Sequence, residues 1–186
     1  MHKFDDYLFF WTSKVFVAAL FVLFSICLFS DSVPAQKFVF SDIKQTILDS
    51  RTDNFDSDEQ EIFGLVNDER LKRHLSELDW DSNLSLLART YSEKMARDDF
   101  FEHTDKRGWT LVDRTKEIRI KNWSKIGENL FFCQGYDNFS SFAVRSWMKS
   151  STHRQNILDK DWTTAGIGIA QANDEKIYIT QIFIKR

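Results

Sequence analysis

Three side chains in this sequence have the types and the spacing for site chemistry: His103, Glu128 and His153, each 25 positions after the one before. Two imidazoles and one carboxylate are a minimal set for holding a divalent metal, such as Zn²⁺, or for general acid/base work, once a fold brings them together. Each has a bland alternative. His103 follows two aromatics in Phe100-Phe101-Glu102-His103, where it reads equally as a capping or surface histidine. Glu128 lies in Gly127-Glu128-Asn129-Leu130, which as a bare stretch reads as a glycine turn with a surface carboxylate. His153 lies between a helix ending near Ser150 and a strand starting near Ala165, a junction where loops carry function. Glu102 is not counted with the site, because neighbours in an extended segment point to opposite sides.

Other chemistry is poorly supported. The HExxH zinc motif is absent, Cys133 has an apolar setting, and Ser150 and Ser151 lack an evident orienting acid. Net charge is −3, and residues 31–60 hold seven acids against three bases, so no basic footprint for nucleic acid is present.

The elements that must position the three residues are legible from pattern. Ser57 and Gln60 have capping-box spacing before a helix that carries Ile62, Leu65 and Val66 and runs to about His74. Asp81 or Ser82 caps a second helix whose stripe, Leu84, Leu87, Ala88, Tyr91 and Met95, is core. Thr110 and Asp113 cap a third helix over 110–118, and Asn138 or Ser140 a fourth, with Phe139, Phe142, Ala143 and Trp147 as core. His153 to Leu158 makes one helical turn that buries Ile157 and Leu158, with Asn156 bonding backbone around it. Residues 164–172 and 176–184 form a hairpin, in which Gly166 and Gly168 give a small face for close packing.

The order FFEH, GENL, WxxSxxHRQNIL, AGIGIA and YITQIF, with the helical opening FGLVNDERLKRHL, resembles the bacterial branch of the CAP superfamily, the cysteine-rich secretory, antigen 5 and pathogenesis-related 1 proteins. The match runs over residues 62–183. The resemblance implies an α+β SCP-domain fold, a three-layer α-β-α sandwich with a small, mostly antiparallel central sheet, and an open cleft holding His103, Glu128 and His153. Many eukaryotic relatives place a second Glu three residues after the helix Trp; Ser150 stands there in this chain. The resemblance also implies a non-enzymatic binding module, for a small apolar ligand, a lipid, a divalent metal or an envelope component. The alternative it leaves is a metal-dependent hydrolase using the same three residues. No cofactor is required by the first reading.

At 186 residues, with 42% hydrophobic and 28% charged residues, the chain has room for one ordinary domain and an N-terminal extension. Residues 15–30 form an uncharged apolar run, shorter than the roughly 20 residues that span a bilayer. Val33 and Ala35 offer small residues at a cleavage site before Gln36. Residues 1–35 are therefore expected to be an export signal, or else an uncleaved anchor over 7–30, the only membrane contact. Residues 36–56 read as an acidic linker and 57–186 as the domain, secreted or in the envelope. After processing only Cys133 would remain, so the core alone must hold the fold.

Overall fold

The computed structural model describes residues 55–186. The expected signal or anchor, and the linker as far as residue 54, lie outside the described residues. Among the described residues no helix is long and apolar enough to cross a membrane. The elements run α1 (Asp56–Leu71), β1 (Asp79–Trp80), α2 (Ser82–Asp98), α3 (Leu111–Glu117), β2 (Lys125–Cys133), α4 (Phe139–Lys149), α5 (Ser151–Ile157), β3 (Thr164–Gln171) and β4 (Ile177–Lys185). The strands form one sheet in the order β1-β3-β4-β2. β1 pairs parallel with β3, and the other two pairings are antiparallel. Helices cover both faces, so the expected three-layer α+β sandwich is the architecture.

Strand alternation divides the core between the two faces. Ala165, Ile167, Ile169, Ile179 and Phe183 face α1, α4 and α5, where Ile62, Val66, Trp147 and Ile157 meet them. Ile182 and Ile184 face Leu84, Leu87 and Ala88 of α2, and Tyr178 and Leu130 meet Tyr91 and Met95 farther along that helix. The α2 stripe is buried as expected. Asp81 caps the helix, accepting from Asn83 N at 2.8 Å and Leu84 N at 3.0 Å. Gly166 and Gly168 are the floor under it: a Cβ on Gly168 would lie 1.9 Å from the Arg89 backbone nitrogen, so only glycine lets α2 descend this far.

Three local readings are corrected. α1 begins at Asp56 with Phe55 as a cap that makes no side-chain bond, so Ser57 sits inside the first turn and the Ser57/Gln60 capping box does not form. Phe55 packs edge-on against Phe139, which places the chain entry by tertiary contact. The helix also stops at Leu71, and His74 adopts a left-handed φ of 59°. Gly127-Glu128-Asn129 is no turn; it runs through the middle of β2. Gly127 is needed for close approach, since a Cβ there would lie 2.9 Å from the Trp162 ring.

β2 is an edge strand, and its outward carbonyls are covered by side chains rather than by another strand. Asn156 Nδ2 donates to the Glu128 carbonyl at 3.1 Å, and Trp147 Nε1 to the Leu130 carbonyl at 2.9 Å. These two bonds satisfy backbone groups that would otherwise template an edge-to-edge association.

Candidate functional site

Glu128 is on the face of β2 covered by α2 and α3, with its side chain only 4% exposed. A buried carboxylate needs a charge partner, and Arg114 supplies it. Arg114 Nη1 donates to Glu128 Oε2 at 2.9 Å and Nη2 to Oε1 at 3.2 Å, a fork-to-fork pair. Sequence reading did not single out Arg114. Its signal is a charge on the turn of α3 shared with Leu111 and Thr115, which the fold turns inward. The helix itself starts as expected, with the reciprocal Thr110–Asp113 capping box. Arg114 Nε reaches back to the Thr110 carbonyl at 3.3 Å, and the guanidinium lies 3.3 Å from the centroid of the Tyr91 ring.

His103 meets Glu128 directly, Nδ1 to Oε1 at 2.8 Å, while 60% of its side chain remains exposed. Its loop is held by three anchors. Arg114 Nη2 donates to the His103 carbonyl at 3.0 Å, and the Tyr91 hydroxyl to the Glu102 carbonyl at 2.7 Å. Burial pushes the Tyr91 phenol up to about 12 against the pull of Arg114, so it stays a donor throughout the physiological range. The third anchor is Asp105, which accepts from Lys94 and from the backbone nitrogens of Arg107 at 2.8 Å and Trp109 at 2.9 Å. Burial alone would raise the Asp105 carboxyl; Lys94 and the two backbone donors more than reverse it and hold the group well below the carboxylate range.

His153 lies in α5, a seven-residue helix rather than a bare turn. Ser150 is the residue between α4 and α5, extended at φ −79° and ψ 125°. Asn129, the neighbour of Glu128, reaches the other face of β2 and donates to the His153 carbonyl at 3.2 Å. Asn156 bonds both the Glu128 carbonyl and Asn129 Oδ1, so its role is wider than bonding around its own turn: it ties α5 to the strand. Arg70, buried in α1, fixes the far end of α5 by donating to the Ile157 carbonyl at 2.8 Å. Burial lowers the His153 pKa, and the nearby His103 lowers it further, which keeps its ring neutral.

His103 and Glu128 are therefore in contact, with His153 joined to them through the two asparagines. A three-ligand metal site is not what the geometry offers. Both Glu128 oxygens are already engaged, and among the described residues no group of three or more His, Cys, Asp or Glu is arranged to hold a metal ion. The imidazoles of His103 and His153 are the donors that remain. Two residues before His103 in the same loop, Phe101 is 40% exposed and packs edge to face at 4.8 Å on Phe132 of β2, which is 47% exposed. A separate groove of about 490 Å³, lined by residues including Glu59, Trp80 and Arg89, shares no residue with this cluster.

The family model for the cysteine-rich secretory protein family, CAP, matches residues 63–183. The chain belongs to the CAP family. It is 34% identical over 128 residues to the membrane protein YlbC of Bacillus subtilis, a match covering 69% of this chain and 34% of YlbC. Among solved structures it is similar to an extracellular SCP-domain protein of Bacillus anthracis, at 29% identity and a TM-score of 0.60, covering 70% of this chain and 41% of that one. An outer surface protein of Borrelia burgdorferi shares the fold at 21% identity and a TM-score of 0.64, over 72% of this chain and 96% of that one. The match thus spans about a third of the length of YlbC.

Proposed function

We propose that the protein is an exported CAP-domain binding module whose polar centre is His103, Glu128 and His153 and whose ligand is a small apolar or lipid-like molecule of the cell envelope. The observation that carries this reading is an exposed imidazole fixed from behind by a buried carboxylate, in the same loop as Phe101, whose exposed ring packs on the exposed ring of Phe132. Apolar walls with a few placed polar groups are the usual make-up of a ligand site. Export is supported by the apolar leader in the sequence and by the extracellular and outer-surface relatives. Membrane contact is assigned to the N-terminal segment alone, and nucleic acid is not a partner. The two imidazoles are offered as the donors for an optional divalent ion such as Zn²⁺, with Glu128 behind His103 rather than on the metal.

Titration of the full chain with a fluorescent fatty acid tests the reading. Saturable binding is expected, weakened roughly tenfold by Phe132→Ser, the cost of one aromatic contact, and weakened also by His103→Ala. Absence of binding, or binding indifferent to both changes, would refute it. A second reading, hydrolysis, is favoured by the same His103–Glu128 contact, since a ring oriented by a carboxylate is the base half of a catalytic pair. Turnover of p-nitrophenyl acetate that disappears in His103→Ala would support it over binding alone.

A further inference from the structure

We propose that Arg114 is a positioning residue of the cleft, acting through Glu128 to fix the tautomer of His103 with its proton on Nδ1 and Nε2 left as the ring nitrogen that meets a ligand. The inference rests on the reading of His103 as the polar centre of the site, and its test is independent of any ligand.

An ionised carboxylate only accepts hydrogen bonds, whereas a neutral imidazole donates from one nitrogen and accepts at the other. Glu128 receives two N–H bonds from the Arg114 fork, at 2.9 and 3.2 Å, and the pair is almost fully buried, with 5% and 4% of the two side chains exposed. A guanidinium carries only N–H donors, so Glu128 meets it as an acceptor at both oxygens. His103 Nδ1 stands 2.8 Å from Oε1 of that same carboxylate. Two acceptors cannot sit at that distance without a proton between them, so Nδ1 carries it. Which ring nitrogen is free is set by the bond the other one makes.

The geometry adds a second handle. Arg114 Nη2 also holds the His103 carbonyl at 3.0 Å, so one guanidinium fixes the residue's backbone as well as, through Glu128, its ring. The guanidinium is held in turn by the Tyr91 face and the Thr110 carbonyl, and the Tyr91 hydroxyl pins the preceding residue. The ring's orientation therefore traces back to α2 and α3, two helices of the scaffold, rather than to the loop that carries it. Rigid support of this kind is what a precise site needs. A lone surface histidine would have neither constraint.

The test is nitrogen-15 NMR of the histidine side chains in the full chain, with the His103 signals identified by their loss in His103→Ala. In the wild type the neutral His103 ring is expected to show a protonated Nδ1 and a bare, pyridine-like Nε2. Arg114→Met removes the cation that keeps Glu128 a pure acceptor, and the Nε2–H form is expected to appear. Arg114→Lys keeps the charge and should restore the Nδ1–H form. A purely structural role for Arg114 would leave the tautomer of the folded variants unchanged. An Nε2–H ring in the wild type overturns the proposal even if Arg114→Met fails to fold, and so does a folded Arg114→Met protein that retains the wild-type tautomer. Failure of fatty acid binding with the expected tautomers intact would count against the functional reading and leave this one standing.

Discussion

The sheet has a buried glutamate paired with an arginine near each of its two edges, and the two pairs end differently. Near the β1–β3 edge, Arg89 grips Glu59 at 2.9 and 2.5 Å, and Glu59 gives its remaining capacity to the backbone of β3, accepting from Ile169 N at 3.0 Å. β1 is only two residues long and pairs with β3 at Thr164 and Ala165, so Glu59 stands in for the strand that is not there. At the β2 edge, Arg114 grips Glu128 in the same way, but the remaining capacity goes to the exposed ring of His103. One change of recipient, from backbone to imidazole, separates a piece of scaffold from a piece of a site. The groove beside Glu59 shares no residue with the His103 cluster, and the glutamate there has its bonds already made.

The largest effect that would test this contrast is on stability. Glu59→Ala leaves Arg89 and the Ile169 N–H without their buried partner, and breaking such a pair costs about 3–5 kcal/mol, a drop in Tm on the order of 10 °C. Fatty acid affinity of the folded protein should not change. Glu128→Ala is expected to cost less, because Arg114 keeps the His103 and Thr110 carbonyls and the Tyr91 ring as partners, while affinity falls. Thermal melts and binding isotherms on both variants check the pattern; the reverse pattern would dissolve the comparison.

A smaller effect is the pH dependence contributed by His153. The folded-state pKa of His153 is lowered, chiefly by burial, so below its ordinary value near ~6.5 the unfolded chain binds a proton that the native state resists. Stability is therefore expected to fall as the pH drops through about 6.5 toward the lowered native value, and His153→Gln should flatten that part of a Tm-against-pH curve. Persistence of the same slope in the variant would place its origin elsewhere.

The smallest expected effect is none. Cys133 is a buried free thiol at the end of β2, and burial raises its pKa, which disfavours the reactive thiolate. Reductant should leave the Tm unchanged; a shift of several degrees would indicate pairing between copies of the chain.

Local rules were readable where local physics decides. The Asp81 cap, the Thr110–Asp113 capping box and the Asn138 cap all form at positions recognisable by residue type. The α2 stripe is core because its period is that of a helix lying on a sheet. Ser57 has equally good capping letters and fails, since Phe55 packs on Phe139 and starts the helix two residues earlier. Gly127 looks like a turn until Trp162, 35 residues later, occupies the space of its Cβ. Arg114 was hidden for the same reason. Its partners, Glu128 and the His103 carbonyl, are 14 and 11 residues away, and no spacing rule joins a residue of one short helix to an edge strand and a loop.

The central claim is that His103 and His153 serve one open site at the β2 edge. Calorimetric titration of Zn²⁺ into the full chain, His103→Ala and His153→Ala tests it most directly, because a single ion can join the two rings only if each nitrogen lies at roughly 2.0–2.1 Å from it. One ion per wild-type chain is expected, weakening as the pH falls because the ligating nitrogens must be unprotonated, and either alanine variant alone should abolish it. If both variants bind Zn²⁺ as the wild type does, the two histidines do not share a site.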